Sequence, residues 1–207
     1  MEESRLKKLI IIGASGHGKV VADIAKMNGY EEIVFLDDDT SIKLCSGYPV
    51  MGSVKILHEL EGDVFVAIGN AVVRKSIIES EPGLNFPVLI HPGAIVAADV
   101  SIGAGSVVMA GAVINPGAKL GIGAIVNTSS SVDHDCDISD YCHIAVGAHL
   151  CGTVTLGEGC WVGAGATVSN NINICSGCTI GAGAVVIKNI DVSGTYVGVP
   201  ARLMKEK

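Results

Sequence analysis

From Ile90 to Val186 an aliphatic residue recurs at every sixth position. The run is Ile90, Val96, Ile102, Val108, Ile114, Leu120, Val126, Val132, Ile138, Ile144, Leu150, Leu156, Val162, Val168, Ile174, Ile180 and Val186. All seventeen positions are Ile, Leu or Val, with no insertion. A second track stands four residues after each, and its members are nearly all small: Ser106, Ala112, Ala118, Ala124, Ser130, Cys136 and Cys142 are typical. A helix repeats its apolar face at 3.6 residues and a strand at 2. A strict six fits a chain that turns a corner every six residues, with three sides to a coil of about eighteen, which is the hexapeptide parallel β-helix pattern. The aliphatic residue then fills the interior of a prism, and the small residue sits near a corner. Glycine follows the aliphatic residue at 103, 121, 157, 163 and 181, as expected where backbones come close. With paired strands roughly 4.8 Å apart, about five coils make a column roughly 25 Å tall. Stacked coils satisfy one another but leave two ends that need caps.

Ahead of the repeat the pattern changes. Lys8–Ile12 is a β-favouring run. The turn Gly13-Ala-Ser-Gly-His-Gly18 follows, then a helix over Lys19–Asn28 closed by Gly29. Ile33–Leu36 is a second strand and Lys55–Leu60 a short helix. Val64–Ile68 is a third strand, and Gly69-Asn70 opens a helix through Ile78. Alternating strand and helix predicts a small parallel, Rossmann-like sheet with helices on its faces. The expected division is an α/β domain over 1–84 and a β-helix domain with its tail over 85–207.

Composition narrows the classes. Apolar residues make up 49% and charged residues 17%, while aromatics are only 4%, which suits a narrow interior lined by Ile, Val and Ala. A net charge of −7 argues against a nucleic-acid or anionic-membrane surface. Leu9–Ile12 is too short for a signal-peptide core or a membrane span, so the expected location is the cytoplasm. Of seven cysteines, Cys136, Cys142, Cys160 and Cys178 lie on the small-residue track and read as buried small hydrophobes. Cys45, Cys151 and Cys175 lie off it and are given no reactive role, and the cysteines are read as holding no C-x-x-C or zinc-site spacing.

Three places carry candidate chemistry. A strand, a glycine-rich turn and a helix start make a phosphate seat, because backbone N–H groups can approach an anion there. Gly13 to Lys19 matches the first part of GxxxxGK[ST], but Val20 stands where the Mg²⁺-binding hydroxyl belongs, and the glycine spacing is not GxGxxG. NTP hydrolysis and NAD binding are therefore disfavoured, and another phosphate-bearing ligand is expected. Asp37 and Asp38 close the second strand, on the same carboxyl-end side as Gly13–Gly18 and Gly69–Asn70, where open α/β sheets bind ligands. On the prism, His134 stands between Asp133 and Asp135 and two residues after the track residue Val132, hence off the interior. It reads either as a general base oriented by one of the two carboxylates or as a surface histidine. His143 and His149 are six apart, and with His134 they leave a metal site between subunits open as a reading.

These motifs together resemble the sugar-nucleotide acyltransferases of the left-handed β-helix superfamily. They resemble most the bacterial UDP-4-amino-sugar N-acetyltransferases of bacillosamine synthesis and their sialic-acid O-acetyltransferase relatives. The resemblance rests on GASGHG at 13–18, FLDD at 35–38, IGN at 68–70, NTSS and DHDC within 127–136, and GVPAR at 198–202. It implies a homotrimer with acetyl-CoA in the groove between neighbouring prisms, no metal, and a nucleotide-linked amino sugar held by the N-terminal domain. Carried onto this chain, His134 resembles the catalytic base with Asp135 beside it, where the family often has Glu. Ser15, Gly16, His17, Asp37, Asp38 and Gly69 would hold the nucleotide. His143 and the backbone near Gly152, Ala164 and Ala182 would line the acetyl-CoA channel. Arg202 and Lys205, by charge alone, could meet CoA phosphates. The rival functions are O-acetylation of sialic acid or another sugar, a metal hydratase of the γ-carbonic-anhydrase kind, and a non-catalytic nucleotide-binding scaffold.

Overall fold

The computed structural model describes residues 6–204. Its contacts divide the chain into two compact units that meet at Pro92/Gly93. That is a few residues past the 84/85 division expected from sequence, because Asn28 exchanges two hydrogen bonds with Ile90. Asn28 Nδ2 donates to Ile90 O at 2.8 Å, and Ile90 N–H donates to Asn28 Oδ1 at 3.2 Å.

The first unit contains β1 (Lys8–Ile12), α1 (Gly16–Met27), β2 (Glu32–Leu36), β3 (Leu44–Cys45), β4 (Tyr48–Gly52), β5 (Asp63–Val66) and α2 (Ala71–Ser80). The sheet order is β3-β4-β2-β1-β5. β1 is central, parallel to both β2 and β5, and Leu9–Ile12 are at most 1% exposed. A strand buried on both faces reads as a continuous apolar run, as this one does. The sheet is mixed rather than wholly parallel. The short β3–β4 hairpin is antiparallel within itself, and β4 then runs parallel to β2. Its strands are too brief, and β4 too interrupted by Pro49 and Gly52, for the apolar pattern to disclose. The expected helix at Lys55–Leu60 is a 3₁₀ segment, Val54–Glu59. α1 begins at Gly16, inside the glycine motif, earlier than expected. Gly18 thereby lies within the helix, against Gly13 O and the Phe35 ring, with no room for a Cβ. That close packing is what the glycine motif provides on the helix side.

The second unit is a three-sided parallel β-helix. Each two-residue strand pairs in parallel with the strand eighteen residues on: Val113 with Ser131, Lys119 with Asp137, Ile125 with His143. The three faces carry these ladders from Ile95, Ser101 and Val107 up to Val185, Asn173 and Thr179. Every track residue from Val108 to Val186 is buried, while Ile90, Val96 and Ile102 are only half-buried. At the far end the chain caps its own last coil. Ile190 bridges to Ile174, Thr195–Val197 runs parallel to Thr179–Ile180, and Arg202–Leu203 folds back antiparallel.

The corners follow one rule. From Ile102 to Ile180, the residue three after each track position takes a left-handed conformation. It is glycine at most corners, but Ser129, Asp135, Tyr141, Thr153 and Asn171 adopt φ of 55–61° there. Non-glycine residues rarely tolerate this region, and Asn and Asp do so best. The small track also does more than avoid collision. Cys136, Cys142 and Cys160 donate S–H to the carbonyl fifteen residues on at 3.1–3.3 Å, as Ser106 does with its hydroxyl at 3.0 Å. Among the described residues no helix is long and apolar enough to cross a membrane.

Candidate active site

His134 stands at a corner rather than on a strand, and its surroundings follow from that position. Asp135, next in the chain, occupies the left-handed corner site with φ 57°. This backbone bend brings its carboxylate round to the histidine ring, with Oδ2 2.8 Å from Nδ1. Because an ionised carboxylate only accepts, the proton sits on Nδ1, and Nε2 keeps its lone pair. Adjacent residues on a strand would diverge; at this corner they converge. Asp133 has a different task. Its Oδ1 accepts the Asn115 amide at 2.7 Å and the His134 backbone N–H at 2.8 Å, and these bonds hold its carboxyl below the usual range. The hydrogen bond that His134 donates to Asp135 is the chief cause that raises the His134 pKa above its ordinary value. Both side chains are more than half exposed, at 57% and 66%.

The ring needs a gap, and the fold supplies one. Gly152 lies one coil beyond His134 in the same column, and a Cβ there would collide with the imidazole at Nε2 and Cε1. Gly117, one coil before Asp135, likewise leaves space for the Asp135 carboxylate. The column is locked by backbone bonds, from Asp135 N–H to Pro116 O at 3.0 Å and from Thr153 N–H to His134 O at 2.9 Å.

On the next face, His143 is stacked flat on Trp161, with centroids 5.8 Å apart and planes 5° from parallel. Asn127 Oδ1 accepts the Thr128 N–H at 2.8 Å, so its Nδ2 is the group facing His143 Nε2 at 3.1 Å. His143 Nε2 must then accept, which leaves the N–H of the neutral ring on Nδ1. Ala164 and Ala182 lie eighteen residues apart on one exposed column, with Val146 below them, half exposed. Their spacing down the face presents a smooth, slightly apolar strip. His149 is engaged elsewhere, with Nδ1 2.9 Å from Ser131 Oγ. Among the described residues no three His, Cys, Asp or Glu side chains of the chain converge as a metal site.

In the first unit, Ser15, Gly16, His17, Asp37 and Gly69 collect at the carboxyl ends of β1, β2 and β5. Asp37 is largely committed to the loop itself, since Oδ2 accepts the Ala14 N–H at 2.7 Å and Oδ1 the Asp39 N–H at 2.9 Å. Asp38 accepts the Val54 N–H at 3.2 Å and is exposed. Ser15 occupies the position before α1 without a side-chain cap bond, and it and Gly16 are exposed. His17 is different: burial, with Arg74 nearby, pushes its pKa down to about 4, and its buried Nε2 has no hydrogen-bond partner among the described residues. The ring is neutral at neutral pH. Arg74, fully buried, donates to Ile68 O at 2.7 Å and Gly69 O at 3.0 Å and so holds the loop after β5. Arg202 is exposed and donates to Ala201 O at 2.8 Å. Lys205 lies outside the described residues.

Sequence reasoning passed over three features. Asn127 was visible only as part of NTSS, with nothing to mark its amide. Arg74 sits on a helix, where exposure is the default reading. Cys175-Ser-Gly-Cys178 is a C-x-x-C spacing, against the expectation that the cysteines hold none; the hexapeptide track obscures it, and its two sulfurs are 3.5 Å apart.

The chain matches the family described as the PglD N-terminal domain over residues 8–80 and the bacterial transferase hexapeptide family over 153–188. It is 38% identical over 113 residues to UDP-N-acetylbacillosamine N-acetyltransferase of Bacillus subtilis (strain 168), a match covering 50% of this chain and 52% of that protein. The matched region thus spans about half the length of that curated relative. Among solved structures, the acetyltransferase domain of PglB from Neisseria gonorrhoeae FA1090 in complex with acetyl coenzyme A is 45% identical. It superposes with a TM-score of 0.93 over 96% of this chain and 99% of that one. A mutant of perosamine N-acetyltransferase from Caulobacter crescentus, in complex with CoA and GDP-perosamine, is 33% identical. It covers 97% of this chain and 98% of its own, also at a TM-score of 0.93.

Proposed function

The chain belongs to the nucleotide-sugar N-acetyltransferases that join a PglD-type N-terminal domain to a left-handed hexapeptide β-helix, and we propose that it moves the acetyl group of acetyl-CoA to the amine of a nucleotide-linked 4-amino-4,6-dideoxy sugar. The observation that carries the proposal is the placement of His134. Its Nδ1–H is held by Asp135 at 2.8 Å, and its ring is seated over the gap at Gly152 with the Nε2 lone pair unblocked by a Cβ. A base so held can take a proton without having to find its orientation first.

The chemistry then runs in one transfer. The sugar nitrogen attacks the thioester carbonyl, and His134 Nε2 accepts a proton from that nitrogen. The tetrahedral oxyanion needs a donor, for which a backbone N–H or the Nδ1–H of His143 is the candidate. The C–S bond breaks, and the sulfur of CoA takes up a proton and leaves as the thiol. Asp135 stays ionised and stabilises the imidazolium while it exists.

Acetyl-CoA is proposed to run along the exposed Ala164–Ala182 strip, in a groove completed by a second prism of a homotrimer, in the cytoplasm. The nucleotide is proposed to seat its phosphates at Ser15, Gly16 and Gly69. A UDP-linked sugar is the favoured acceptor, on the strength of the Bacillus relative, whose name specifies a UDP-sugar. Parallel assays with UDP-, GDP- and dTDP-linked amino sugars test the base. A preference of at least tenfold for a UDP-sugar is expected, and a preference for GDP-perosamine would reverse it. Turnover of hydroxyl acceptors such as free sialic acid, with none of the amines, would make the enzyme an O-acetyltransferase.

A further inference from the structure

Cysteines 142, 160 and 178 stand eighteen residues apart in one column, and the last does not behave like the others. Cys142 and Cys160 each donate to a carbonyl of the next coil at 3.2 and 3.1 Å. Cys178 has its nearest carbonyl, Val192 O, at 3.8 Å, while its sulfur lies 3.5 Å from Cys175 Sγ. The two residues flank a single turn, Ser176–Gly177, with Gly177 at φ 69°. The ends of a β-turn lie within about 7 Å at Cα, which is the range a disulfide spans. The two sulfurs are in van der Waals contact at 3.5 Å and must close by roughly 1.5 Å to bond. Cys175 is half-buried, whereas Cys178 is buried and its burial pushes the thiol up. The two thiols thus differ in the way a stepwise exchange requires, with one reachable and one held behind it.

We propose that Cys175 and Cys178 are a dithiol–disulfide couple, an oxidative modification site at the C-terminal corner of the prism whose oxidant is a low-molecular-weight disulfide. The Cys175 thiolate attacks one sulfur of the small disulfide, forms a mixed disulfide and releases one thiol. Cys178, after giving up its proton to solvent, attacks the Cys175 sulfur and expels the second thiol. Two protein thiols are oxidised to one disulfide, and the small disulfide is reduced to two thiols. The bond closes the corner on which the C-terminal strand Thr195–Val197 is laid, since Thr179, next after Cys178, pairs with Thr195.

The test uses the full chain, reduced and folded, exposed to glutathione disulfide, quenched with an alkylating agent and mapped by peptide mass spectrometry. The expected result is a thiol titre that falls by two. The peptide carrying 175–178 loses two hydrogens and resists alkylation, and dithiothreitol restores it. Cys178→Ser should stop at the mixed disulfide on Cys175, and Cys175→Ser should leave Cys178 unmodified. Free alkylation of both cysteines after oxidation, or a wild-type protein that halts at the mixed disulfide, would overturn the proposal. The wild-type mapping decides the matter even if a variant folds poorly.

Discussion

Gly152 lies one coil beyond His134, and the imidazole occupies the space that a Cβ at 152 would fill. The His134 ring is therefore positioned by the absence of an atom as much as by the presence of Asp135. Gly152 is not among the residues with positive φ, so alanine fits its backbone, and the three atoms its Cβ would approach most closely all belong to the ring. Gly152→Ala should lower kcat/KM by about 10²-fold, the order of loss a displaced catalytic group brings, while circular dichroism and the thermal midpoint change little. Unaltered activity would mean that the ring works from another position.

The Asp135 carboxylate raises the His134 pKa, chiefly through its hydrogen bond. A general base acts only when unprotonated, so the acid limb of kcat/KM against pH should have its midpoint above the ordinary histidine value of about 6.5. Asp135→Asn removes the negative acceptor, and its acid limb should shift to lower pH with a lower plateau. The substrate amine titrates identically in both enzymes, so the difference isolates Asp135. An unmoved limb would assign the raised pKa, or the base, to another group.

His17 titrates in the opposite sense. Its folded-state pKa of about 4 lies below the unfolded value of 6.5, so the unfolded chain binds the extra proton first. The stability tied to the neutral ring is fully present above pH 6.5 and is lost as pH falls towards 4, by about 3 kcal/mol at about 1.4 kcal/mol per unit. Urea unfolding of wild type and His17→Gln at pH 7 and pH 4 should show the wild-type advantage shrinking by about that amount. A constant difference would place His17 in a more open setting.

Much of the architecture was legible because one rule repeats. A prism interior with one aliphatic residue per side leaves a period no other element produces, so Val108 through Val186 could be placed in the core before any coordinates. The α/β unit was legible where strands are buried on both faces, as in Leu9–Ile12, and illegible at β3–β4, whose strands are short and broken by Pro49 and Gly52. In the site, His134 was found by its acidic neighbours, but the choice between Asp133 and Asp135 was not open to sequence. It depends on the left-handed corner at Asp135, and corners accept Gly, Asp, Ser, Thr, Tyr or Asn alike. Arg74 was hidden because a buried arginine on a helix looks like an exposed one until its carbonyl partners, Ile68 and Gly69, are known.

His134 is proposed as the base for transfer of an acetyl group to a sugar amine. Thiol release from acetyl-CoA in the presence of a UDP-linked 4-amino-4,6-dideoxy sugar, with wild type beside His134→Ala, tests it most directly. Wild type should release thiol rapidly. The variant's kcat should be lower by about 10²–10⁴-fold with KM for both substrates little changed. A variant with near-normal kcat would contradict it.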